Sequence, residues 1–140
     1  MSNQNTLIFI KPDGVSRGLV GTILSRFESR GLRINALQQM TISDTLSDRH
    51  YHEHLDKPFY PRLKQYVTSG PIVAAVISGE NAVDVVRAMC GATHPKDALP
   101  GTIRGDFGLS LDANIIHSSD SASSAQYEIS NFFPTISETA

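Results

Sequence analysis

The chain has no tryptophan, a single cysteine (Cys90) and no excess of either charge. Among its 140 residues, 12 Lys and Arg stand against 14 Asp and Glu, a formal net charge of −2. One cysteine excludes an intramolecular disulfide and a cysteine-built zinc cage. Near-neutral charge leaves no global electrostatic footprint for nucleic acid or anionic lipid, so any bound anion must be met by a few cations gathered locally. The longest apolar runs, at residues 7–10 and 72–77, are far too short to span a bilayer. Residues 1–6 are polar and carry no secretory apolar stretch, so the expected location is the cytoplasm, away from membranes. Several catalytic signatures are missing too. There is no G-x-x-x-x-G-K-[ST] phosphate loop, no G-x-S-x-G elbow, no H-E-x-x-H and no kinase H-R-D set.

What remains is an ordinary globular composition, 40% apolar and 19% charged, which excludes global disorder. The length predicts one domain over residues 1–140, with an ordered core at about 6–133. Residues 7–10 read as a buried strand that ends in a turn at Lys11-Pro12-Asp13-Gly14. Val20, Ile23, Leu24 and Phe27 recur at helical spacing, with Gly31 as the stop. Even positions from 32 to 42 are apolar except Gln38, predicting a half-buried strand. Residues 44–54 are polar and ambiguous, with Ser47 as a possible cap. Phe59, Leu63, Tyr66 and Val67 fit a helix stopped by Gly70-Pro71. Residues 72–77 read as a strand buried on both faces, and Ala82, Val85, Val86 and Met89 as a helical stripe. Residues 91–113 show little periodicity, and a loop that long is usually functional. A brief strand at 114–117 and a helix carrying Ala125, Ile129, Phe132 and Phe133 follow, capped at Asp120 and Ser121, with a loose tail from Thr135. The expected fold class is α+β: a ferredoxin-like βαββαβ antiparallel sheet with added helices and a long loop before the last strand.

Candidate chemistry lies in few places. His50 and His54 would share a helix face at i, i+4 and could hold a metal; a solvated helix surface accounts for them as well. His117 sits where a strand end feeds a helix start, eleven residues before Glu128. Its neutral ring can act as a nucleophile, or it can be a satisfied, partly buried histidine beside a helix cap. Arg104 lies in a glycine-bearing loop, Lys11 beyond the first strand, Arg87 on the third apolar helix and Thr93 at the loop's start. Gathered around one imidazole, three cations and a hydroxyl would suit a triphosphate.

In order along the chain, Ile10-Lys11-Pro12-Asp13-Gly14-Val15, Arg17-Gly18-Leu19-Val20-Gly21, His50-Tyr51, Pro58-Phe59, Ser69-Gly70-Pro71, Pro100-Gly101-Thr102-Ile103-Arg104-Gly105-Asp106 and Asn114-Ile115-Ile116-His117-Ser118-Ser119-Asp120-Ser121 resemble nucleoside diphosphate kinases. The resemblance runs from about Thr6 to Phe133. It implies ping-pong transfer of the γ-phosphoryl group from a nucleoside triphosphate, mainly ATP, to nucleoside diphosphates through a phosphohistidine on His117. It also implies that Glu128 and Ser119 orient that ring, and that Tyr51 lies near the reacting phosphate. Lys11, Arg87, Arg104 and Thr93 would contact phosphates, Lys11 and Asn114 would lie near the sugar, and Phe59 would stack on the base. Mg2+ would arrive with the nucleotide rather than in a protein metal site, and the partners would be nucleotides and further copies of the chain, as a tetramer or hexamer. The sequence departs from the family at Ser118, commonly Gly or Ala, and varies it at Tyr60 and Pro61. Two other classes frame the reading: a ferredoxin-like RNA-binding module, for which the basic-aromatic strand signature is absent, and a catalytically weak family member acting as an interaction protein.

Overall fold

In a computed structural model that describes residues 3–135, four strands form one antiparallel sheet in the order β2-β3-β1-β4. They are β1 (Asn3–Ile10), β2 (Arg33–Thr41), β3 (Pro71–Glu80) and β4 (Ile116–Ser118). The two central strands pair from Asn3 with Glu80 to Ile10 with Val73. Each carries an unalternating apolar run, residues 7–10 in β1 and 72–77 in β3, because both of its faces are covered there. One face meets α2 (Val20–Ser29) and α5 (Ala82–Cys90), whose Ile23, Phe27, Ala82 and Val86 pack on Ile8, Ile10, Ala75 and Ile77. The other face meets α3 (Asp44–His50), α4 (Tyr60–Val67) and α7 (Ala122–Phe132), which bury Val67, Ile129 and Phe132 against Leu7, Phe9, Ala74 and Val76. This is the expected ferredoxin-like α+β architecture with helices added to the second face.

Several local expectations are corrected. The turn after β1 is a short helix, α1 (Pro12–Ser16), opened by a proline at a position that needs no N–H donor. The cap of α3 is Ser43, whose hydroxyl accepts from the Leu46 N–H at 3.0 Å. Ser47 is buried inside that helix, its hydroxyl 2.8 Å from that of Tyr60. Ser121, and not Asp120, caps α7 by accepting from the Ser124 N–H. Within the long loop lie a 3-10 turn, Pro95–Asp97, and α6 (Ile103–Phe107). Even-position alternation along β2 also fails as a single pattern. A bulge between Ile34 and Ala36 inserts one residue, so Ile34 packs with the α2/α5 face whereas Ala36 and Met40 pack with the opposite one. The tail beyond Thr135 lies outside the described residues.

Candidate active site

The polypeptide around His117 is shaped before its side chain is placed. Ile115, fully buried, has φ of +78°, a left-handed conformation that costs a β-branched residue energy and must be held by its surroundings. Three hydrogen bonds do so. The Lys11 N–H donates to the Ile115 carbonyl at 2.7 Å, the Ile115 N–H to Asp13 Oδ2 at 3.1 Å, and the Ile116 N–H to the Asn114 carbonyl at 2.9 Å. The Tyr66 hydroxyl in turn donates to Asp13 Oδ1. The ends of β1 and β4 are thereby locked side by side, which sets Lys11 and His117 at one cleft of 690 Å³.

His117 is held on three sides. Phe9 stacks on its ring with centroids 4.9 Å apart, His50 meets it edge-on at 4.5 Å, and Nε2 lies 2.9 Å from Glu128 Oε1. The Ser119 hydroxyl donates to the same Glu128 oxygen at 2.7 Å, while its backbone N–H is tied to the Leu7 carbonyl at 3.0 Å. Ser119 therefore acts on the imidazole only through Glu128 and is a positioning residue. Burial, followed by the charges of Lys11 and Arg104, holds the His117 pKa well below its usual value of 6.5, so the ring is neutral at pH 7. Burial raises Glu128. With Nε2 facing a carboxylate oxygen, the proton belongs on Nε2 and the lone pair on Nδ1.

Around the imidazole stand the cations. Lys11 is buried, its Nζ donating to Asn114 Oδ1 at 2.8 Å, and burial followed by repulsion from Arg104 brings its pKa down to about 8. Arg104 donates to the carbonyls of Gly91 and Ile116, each at 2.7 Å, with Nε left unpartnered. Gly91 is required at its position: φ is +86° and a Cβ there would lie 2.5 Å from Thr102 Oγ1. Arg26 fastens the α6 loop from outside, 2.6 Å from Asp106 Oδ2 and over the Phe107 ring, and Arg17 donates to the Phe107 carbonyl at 2.7 Å. Asn114 donates to the Thr93 carbonyl at 2.9 Å. Arg87 and Thr93 reach the same cleft from exposed positions. At the cleft's other end Phe59 is 48% exposed and lines the wall with Leu63 and Leu111. It is no core residue at a helix head.

Every residue singled out from the sequence as a site candidate lines this cleft except Ser119. The i, i+4 pairing of His50 with His54 does not form, because His50 ends α3 and His54 lies in a 3-10 turn, His52–His54. His50 is instead buried against His117 and Glu128, and burial pushes its pKa down to about 3. That packing role left no signal in a stretch that reads as a polar helix. Among the described residues, the one trio of side chains able to share a metal is His50, His117 and Glu128, an imidazole-rich set unlike the oxygen shells Mg2+ prefers. Ser118 pairs with Ile8, its neighbour Cys90 lying on the opposite face of the sheet from His117, so this departure leaves the imidazole's contacts intact.

A family model described as nucleoside diphosphate kinase matches residues 4–137. A nucleoside diphosphate kinase of Thermus thermophilus is 58% identical over 130 residues, 93% of this chain and 95% of the relative. One from Archaeoglobus fulgidus is 52% identical over 130 residues, 93% and 86% of the two chains. Among solved structures, a halophilic nucleoside diphosphate kinase from Halobacterium salinarum in complex with CDP superposes with a TM-score of 0.92 at 45% identity, covering 94% of this chain and 88% of that one. The Aquifex aeolicus nucleoside diphosphate kinase gives 0.91 at 39% identity, covering 94% and 96%.

Proposed function

Since the chain belongs to the nucleoside diphosphate kinase family and is a nucleotide-binding phosphotransferase, we propose that His117 Nδ1 is the atom that carries the phosphoryl group. The observation that carries this is the Nε2 contact with Glu128 at 2.9 Å, which leaves Nδ1 as the nucleophilic nitrogen of a neutral ring. Nδ1 attacks the γ-phosphorus of a nucleoside triphosphate, the N–P bond forms, the bond to the β,γ-bridging oxygen breaks, and the diphosphate leaves with that electron pair. A second diphosphate then attacks the phosphohistidine in the reverse sense. Glu128 offsets the positive charge that develops on the ring, and Lys11, Arg87 and Arg104 face the phosphate oxygens, where charge stabilisation matters most. Tyr51 lies beside the reacting phosphate, Thr93 contacts the phosphates, Lys11 and Asn114 lie near the sugar, and Phe59 stacks on the base.

Mg2+ enters as part of the substrate, the metal–nucleotide complex. Stacking on an aromatic ring accepts any base, and the relative solved with CDP agrees with use of pyrimidines. The chain works as a homo-oligomer, a tetramer or a hexamer, in the cytoplasm, where nucleotides are abundant and Cys90 stays a buried thiol. The outer strand β2 supports assembly: residues 35–41 carry no charge or proline to blunt the edge, and Leu37 is 54% exposed. Light scattering decides the copy number. The central test is incubation with γ-labelled ATP alone, which should leave an acid-labile, alkali-stable phosphate on the protein that any nucleoside diphosphate then removes as labelled triphosphate. Label on a serine, or none, overturns the mechanism.

A further inference from the structure

The base end of the cleft carries two charged side chains that phosphate chemistry does not use. Arg62 stands three residues after Phe59 at the start of α4, a spacing that puts both side chains on one face of the helix. Asp112, which follows Leu111 in the chain, lines the same end of the cleft. The two are joined by an ion pair, Arg62 Nε to Asp112 Oδ2 at 3.2 Å. Both are well exposed, at 71% and 52%, so the pair adds little to stability. Its geometry is informative nonetheless. Asp112 meets the guanidinium on its Nε side, and among the described residues neither terminal NH2 group has a hydrogen-bond partner. Those are the donors that form the two-pronged contact with the O6 and N7 acceptors of guanine. Adenine offers N7 alone, with an amino donor in place of O6, and pyrimidines offer neither pair.

We infer that Arg62, aimed by Asp112, reads the O6/N7 edge of a base stacked on Phe59 and gives this enzyme a guanine bias over adenine. The inference rests on the nucleotide-cleft reading above. Stacking supplies the tolerance, since the two purines stack alike, and Arg62 supplies the discrimination between them. Because the contact is exposed, the bias is modest, about threefold, and fades as salt screens it.

The experiment is single-turnover discharge of the phosphoenzyme by GDP, ADP, IDP or 7-deaza-GDP at low ionic strength. Wild type should prefer GDP over ADP about threefold. IDP, which keeps O6 and N7, should behave as GDP, and 7-deaza-GDP, which lacks N7, should fall towards ADP. Arg62→Gly should equalise GDP and ADP, the larger fall being in the GDP rate. Asp112→Asn should reduce the bias, since the guanidinium is no longer aimed. No bias in wild type, a bias that survives Arg62→Gly, or an equal fall for all four acceptors would overturn the inference. An IDP rate that falls to that of ADP would do so as well, because the reading would then lie on guanine's 2-amino group. Failure of the phosphoenzyme to form would instead refute the kinase mechanism, so the two failures are distinguishable.

Discussion

The two ends of the cleft are built in opposite ways. At the phosphate end, Lys11, Asn114, Arg104 and Glu128 are buried, and each is hydrogen-bonded to backbone or to another site residue. At the base end, Phe59, Leu111, Arg62 and Asp112 are exposed and held by one surface ion pair. The difference follows from what each end must do. Charge stabilisation in a transition state depends on dipoles and cations that are already in position, in a poorly hydrated site, so the phosphate end must be rigid. Holding a base of any identity needs only an accessible apolar face, so the other end can stay loose. Stability and reactivity are thus coupled at one end and nearly independent at the other.

The contrast predicts a graded set of effects. His117→Ala should abolish the phosphoenzyme altogether while the sheet persists, which acid-labile labelling and circular dichroism check together. Arg104→Ala should raise the barrier by about 2–4 kcal/mol. The loss in kcat/KM should be the same for ADP, GDP, CDP and UDP, and thermal stability should fall too, since Arg104 also ties Gly91 to β4. A near-normal kcat/KM would separate the α6 loop from catalysis. Phe59→Ala should cost about 1–3 kcal/mol of nucleotide binding, seen in KM, with less than tenfold spread among the four diphosphates. Its melting temperature should barely move, and a large drop would mean that Phe59 supports the fold. The last effect vanishes at pH 7. His50 and His117 both have folded-state pKa values below the unfolded 6.5, so the unfolded chain binds protons that the native one refuses. Stability should be complete above pH 6.5 and decline on acidification below it, by up to about 1.4 kcal/mol per pH unit for each histidine. His50→Leu should make that decline shallower, and an unchanged slope in urea-melt titrations would show that His50 is protonated in the native protein.

Much of this was legible in the residues. The apolar runs of β1 and β3 and the stripe of α5 emerged from periodicity, because burial on both faces or on one leaves distinct patterns. The His117 segment and the loop with Arg104 carried the chemistry in contiguous motifs. Other features left no such trace. The reversal of faces along β2 came from one inserted residue, which is invisible in a pattern of period two. The roles of Arg17 and Arg26 as fasteners of the α6 loop, and of His50 as a wall of the nucleophile's niche, depend on partners 67 or more positions away in the chain.

By itself, the sequence determined the α+β class, the family and the inventory of reactive groups, since periodicity and contiguous motifs are local properties. Only the tertiary structure decided which groups act together. It brought Lys11 beside Asn114 across 103 positions, and Phe9 beneath His117, by pairing the ends of β1 and β4. It also removed water from around His117 while keeping one side open to the cleft, and this is what holds the ring neutral. Desolvation and proximity belong to the packed molecule, so no residue carries them alone.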